Sequence, residues 1–246
     1  MPLRRALKWG AWTAFAMALV IGLLLAILLA FNGRAEDQQS TLAKLISQML
    51  SSKTSTVSIG AVDGPLSSDA LIRDIVISDK DGAWLKVDKV RLVWSRLALL
   101  SRRLEVDKLE IGKVSLLRKP VPSDAVPAAA ANSEPILPEL PVKVLVKAFK
   151  LEELSLGAPL LGVAARLTAS GDLKLGAPSE GLNVNLQASR LDGEGAAKIK
   201  LAFVPKGEVL TLDMEHTEAP GGLLATVANI PGLPAITLAL KGDGPL

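Results

Sequence analysis

His216 is the one histidine in a chain of 246 residues that has no cysteine, so nucleophilic and metal chemistry have few places to reside. It sits in the run Glu215-His216-Thr217-Glu218. A Ser-His-Asp arrangement would have to use it, but these neighbours describe a solvated residue at a strand end better than a general base. Without cysteine there is no disulfide framework, thiolate metal site or cysteine nucleophile; this composition also fits an oxidising compartment. A metal site would need carboxylates. Asp79, Asp81 and Gly82 have the opening spacing of a calcium loop, yet Trp84 and Leu85 follow where oxygen ligands are required, so a tight turn is expected there. No catalytic residue, metal ligand or cofactor is assigned, and an enzyme is not expected. Trp84 and Trp94 are expected in the core or against lipid. Arg96, Arg102 and Arg103 carry the charge to attract anionic headgroups, although a solvated helix face is the plainer expectation.

Composition narrows the classes further. Hydrophobic residues make up 49% of the chain, aromatic residues only 3%, and there is no tyrosine. Stacking platforms for nucleic acid are therefore not expected. The net charge of +3 is spread over Lys and Arg that alternate with Asp and Glu, so no dense basic stripe marks a nucleic-acid partner. Mean hydropathy is +0.36, high for a soluble protein, and one segment accounts for part of it.

The most informative stretch is residues 79–118. Apolar side chains fall at Leu85, Val87, Val90 and Leu92, then at Leu104, Val106, Leu109, Ile111, Val114 and Leu116, in steps of two and three. Each five-residue step turns a helix by about 500°, which scatters these side chains around the axis. A regular strand fails too, because every step of three reverses the face unless a bulge absorbs a residue. Strands kinked near Asp88-Lys89, Asp107-Lys108 and Gly112-Lys113 satisfy the pattern, and these ten residues are then expected to line one concave face. Ile111 is expected to behave as a groove wall that tolerates a charge.

Elements before and after must position that face. Residues 1–8 form a basic tail with Arg4, Arg5 and Lys8, ahead of an uncharged run at 9–31 that rises about 34 Å as a helix. Trp9 and Trp12 near one interface, Leu23 within and Phe31 at the far end mark it as a single-pass membrane anchor. The positive-inside rule puts the amino terminus in the cytoplasm and the bulk of the chain across the membrane; a cleaved signal peptide is the alternative, less favoured because the run is long. Residues 36–53 hold an amphipathic helix through Leu42, Leu45, Ile46, Met49 and Leu50. A first β unit is expected over 54–118, with Val57, Ile59 and Ala61 on one face. Its short helical turn at Ser95 to Arg103 should be capped by Ser95, with Leu97, Leu100 and Leu104 facing inward. Residues 119–141, rich in Pro and Ala, form a linker. A second β unit at 142–246 is expected as an antiparallel meander, with strands at 162–170, 172–175, 182–189, 197–203, 209–214 and 235–241 and a helical turn at 223–230. The turn signal at 242–246 predicts continuation into a longer protein.

A resemblance attaches to these residues. Gly64-x-Leu66, then D-x-D-G-x-W-L-x-V at 79–87, V-x-L-x-W-S at 90–95, and L-L-x-x-R-L-x-V-x-x-L-x-I-G at 99–112 resemble the amino-terminal region of the TamB family within the AsmA-like superfamily. E-A-P-G-G-L-L at 218–224, P-G-L-P at 231–234 and G-D-G-P-L at 242–246 are similar to the part of that family preceding its long repetitive β region. The resemblance implies a mainly β protein: an open groove in a bent antiparallel sheet, anchored in the bacterial inner membrane and reaching through the periplasm. Phospholipid would be its cargo, and an outer-membrane barrel protein of the TamA type its partner in assembling or secreting other proteins. A scaffold that binds nascent outer-membrane proteins without carrying lipid is the alternative.

Overall fold

The structure is a computed structural model that describes residues 51, 55–65, 68–121, 143–177, 179–207 and 209–245. The expected membrane anchor (Trp9, Trp12, Leu23, Phe31), the helix at 36–53 apart from Ser51, and most of the linker lie outside them. Ten strands make one sheet: β1 Thr56–Asp63, β2 Asp69–Asp79, β3 Gly82–Ser95, β4 Arg103–Leu116, β5 Lys143–Leu156, β6 Ala165–Leu175, β7 Leu182–Arg190, β8 Gly195–Val204, β9 Val209–Glu218 and β10 Ile236–Pro245. Their order in space is their order in sequence, and β1 does not meet β10, so the sheet is not closed into a barrel. The two stretches read as separate β units thus join edge to edge.

The expected all-antiparallel sheet is corrected at that join. β4 and β5 pair in parallel, Arg103 opposite Lys143 through Leu116 opposite Leu156. A two-residue hairpin can only return a strand antiparallel, whereas a parallel neighbour needs a crossover of a dozen or more residues. The Pro- and Ala-rich stretch after β4 has the length such a crossover requires.

The steps of three are shared between neighbouring strands and in register. Ile59 and Val62 of β1 face Ile75 and Ile72 of β2, which face Val87 and Val90 of β3. These face Val114 and Ile111 of β4, which face Leu154 and Leu151 of β5. Five strands therefore absorb their extra residue at one level, forming a crease across the sheet, and the apolar set stays on one side above and below it. Asp74 takes left-handed backbone there, with φ 55°. Gly60 lies opposite, where any Cβ would press against the Asp74 side chain 2.8 Å away. Asp88 Oδ1 accepts the N–H groups of Lys89 and Lys113, both at 2.6 Å, and leaves room only for glycine at 112. Asp88→Ala should cost about 1 kcal/mol, the net value of such hydrogen bonds at an exposed site, and denaturant titration checks it. Beyond β5 the crease ends: β6 sets Ala169 and Leu167, two apart, against Leu151 and Leu154, and simple alternation follows.

The helices are short: a 3-10 helix at Arg96–Ser101, α1 at Ala158–Leu161 and α2 at Leu223–Val227. The first departs from expectation. Leu97 and Leu100 point outward, 68% and 85% exposed, while Ala98 is buried and Leu99 packs against the core. Three residues per turn stack positions 97 and 100 directly above each other, so they share one face and the core takes the other. Ser95 occupies the cap position without a side-chain capping bond.

Arg118 closes the end of β4 onto the β2–β3 turn. Its guanidinium donates to both oxygens of Asp79 and to the Gly82 carbonyl, while the N–H groups of Asp81 and Val121 also donate to Asp79. The Arg118 hydrogen bonds hold the Asp79 carboxyl well below the usual carboxylate range. A group lowered on folding stabilises above its unfolded pKa, and loses that contribution as pH falls through the folded one. Protection of the Val121 amide against hydrogen exchange should therefore persist through pH ~4, where free aspartate titrates, and disappear only in stronger acid. In Asp79→Ala it should be lost at every pH.

Candidate functional site

Like the Asp79 clasp, Glu218 and His216 have structural employment. Burial alone would raise the Glu218 carboxyl, but the N–H groups of Leu224 and Ala225, at 2.8 and 2.7 Å, and neighbouring His216 bring it below its ordinary value. Glu218 thereby caps α2, and Gly222 is required because a Cβ there would overlap the Glu218 side chain. This accounts physically for E-A-P-G-G-L-L. Glu218→Ala should cost about 2 kcal/mol, the upper range for losing a cap, measured by thermal unfolding. His216 is not the solvated strand-end residue expected: it is half-buried, its Nε2 3.3 Å from Glu218 Oε2. Among the described residues no group of three His, Asp or Glu converges as a metal site would require.

What the sheet does present is one apolar face spanning all its strands. Successive register pairs trace rows across it. One runs Leu92, Leu109, Phe149, Gly171, Leu186, Ile199, Met214 and Leu240, from β3 to β10. With strands about 4.8 Å apart, seven intervals make it roughly 34 Å long. A parallel row runs Val106, Val146, Leu173, Val184, Leu201 and Leu212. The opposite face is charged, and its cross-strand ion pairs include Arg91 with Asp69 and Glu110, Lys147 with Glu105 and Asp107, and Lys113 with Glu153.

All ten residues expected to line a groove belong to this apolar assembly. Val90, Leu92, Leu104, Val106, Leu109 and Ile111 are buried; Leu85, Val87, Val114 and Leu116 are partly buried and packed against them. They are core rather than open wall. Ile111 is 4% exposed, so a charge there would meet core surroundings rather than the open wall expected. Openness lies elsewhere. On β7 and β8 the apolar residues Val184, Leu186, Ile199 and Leu201 are only half-buried. At the β10 edge Leu238 and Leu240 are 38% and 48% exposed. Sequence reasoning missed this half because plain alternation on β7 to β9 looks like any strand with one wet face, and only the shared register joins those residues to the first half.

Chemically the surface offers methyl and methylene contact and almost no fixed polar groups on its rows. Arg190, beside Leu167 at one margin, is paired with Asp192. No family model matches the chain, and neither a curated protein nor a solved structure does. No described helix is long and apolar enough to cross a membrane, which leaves the run at 9–31 untouched because it lies outside the described residues.

Proposed function

We propose that this chain is a membrane-anchored periplasmic groove protein, bridging inner and outer membranes and carrying phospholipid acyl chains along its apolar face, in the manner the TamB resemblance implies. One observation carries the reading: a single apolar face continues over all ten strands, most deeply buried on β1 to β4 and only half-buried along much of β5 to β10, while the other face is charged. Half-buried aliphatic rows left to water would be a liability, and acyl chains match them in chemistry and in their lack of polar demand. No step of this role needs a catalytic group.

A second reading has its own support. β10 has a partner, β9, on one side only, so its outer backbone edge is free among the described residues. Such an edge can pair with an incoming strand of a client protein, as an assembly scaffold working with a TamA-type barrel would require. Native mass spectrometry of the chain released gently from membranes separates the two: the conduit retains phospholipid, and a scaffold has no need of any. A reporter fused after Ser52 should be active only in the periplasm, and cytoplasmic activity would remove both readings.

A further inference from the structure

The two exposed leucines between β3 and β4 stand at one end of the sheet, beside three arginines. Leu97 and Leu100 form one outward ridge on the 3-10 helix, and Arg96, Arg102 and Arg103 are exposed around it. The described acids near this end are already engaged: Asp69 by Arg91, Glu105 by Lys147 and Glu180 by Lys143. None of the three arginines has an ion pair among the described residues. Arg102 moreover ends the helix in left-handed backbone at φ 52°, its N–H donating to the Ala98 and Leu99 carbonyls. Glycine would take that conformation without steric penalty, so this chain places an arginine there against backbone preference.

We infer that this tip is a docking element for an anionic lipid bilayer, with Leu97 and Leu100 entering the interface and Arg96, Arg102 and Arg103 meeting lipid phosphates. A pair of aliphatic side chains alone gives weak interfacial binding, and three cations alone are held loosely and screened by salt; together they supply the two signals that stable peripheral attachment needs. This contact is independent of what the apolar face carries. It would fix one end of the sheet against a membrane whether the cargo is lipid or protein.

The absence of cysteine makes the test clean. Leu100→Cys in the full chain, held in a nanodisc of phosphatidylcholine, takes one environment-sensitive nitrobenzoxadiazole label, and vesicles are then added. Vesicles containing phosphatidylglycerol should shift the emission to the blue and raise it, and a label at Ser189→Cys on β7 should not respond. Combining Arg96→Ala, Arg102→Gly and Arg103→Ala with the label should weaken the response about a hundredfold in vesicle concentration, at roughly fivefold per arginine. Circular dichroism would check that the sheet is intact. A label indifferent to all vesicles overturns the inference. So does an equal response to pure phosphatidylcholine, or a response to polyglutamate with none to anionic vesicles, which would make the tip a site for an acidic protein.

Discussion

Aspartate at Val106 should leave no stable sheet, while aspartate at Ile199 should leave the sheet folded and strip it of phospholipid. Both residues lie on the apolar face, and their surroundings decide the difference. Val106 has no exposure and lies among Leu104, Val146 and Trp94 in the core cluster. A carboxylate there finds no partner and no water, and the cost is about 4 kcal/mol or more, a large share of what holds an ordinary domain together. Ile199 is half-buried between Leu186 and Met214, so its carboxylate can reach water at a cost of roughly 1 kcal/mol. It nevertheless interrupts the longest row. Urea denaturation monitored by circular dichroism reads the first effect, and phospholipid recovered per mole of protein reads the second. A folded Ile199→Asp that keeps its full lipid complement would sink the acyl-chain reading, and a folded Val106→Asp would mean that the core is misplaced.

Alanine at Gly171 should separate the sheet into a stable part and a lost one. Gly171 faces Leu186 across the β6–β7 ladder, and a Cβ at 171 would fall on the Asn185 carbonyl group, a backbone obstacle that cannot rotate aside. Overpacking of this kind costs about 3 kcal/mol, and it bears on the interface that attaches β7 to β10. Limited proteolysis should then cut the second half first and leave β1 to β6 protected. Uniform unfolding of the whole chain instead would show that the two halves share one cooperative transition.

The kinked strands were legible because β3 and β4 repeat their two-three spacing, and a step of three has only one inexpensive solution in a sheet. On β1 the same step was hidden: Val57, Ile59 and Ala61 continue as perfect alternation, yet the chain buries Val62, since the opposing Asp74 has already displaced the register at Gly60. Strand direction at the β4–β5 join could not be read from composition, because prolines say that a segment is not sheet without saying which way the next strand runs. Helical periodicity misplaced Leu97 and Leu100 for a related reason: six residues are too few to tell a 3-10 helix from an α-helix by pattern. As for the site, the sequence marked the buried half of the apolar face and was silent on the open half, where exposure depends on what the neighbouring strands leave uncovered.

The parallel join has a consequence in time rather than in space. The other strand pairs are antiparallel and joined by shorter connections, several of them tight turns, and hairpins of that kind close in microseconds. Pairing β4 with β5 must first bring together ends separated by the whole crossover, and that entropy is lost before any ladder bond offsets it. The chain should therefore acquire β1 to β4 and β5 to β10 as two independently zipped ribbons, with their union as the slow event. During that interval the edges of β4 and β5 stand open, and a chaperone that delays misassembly would act there.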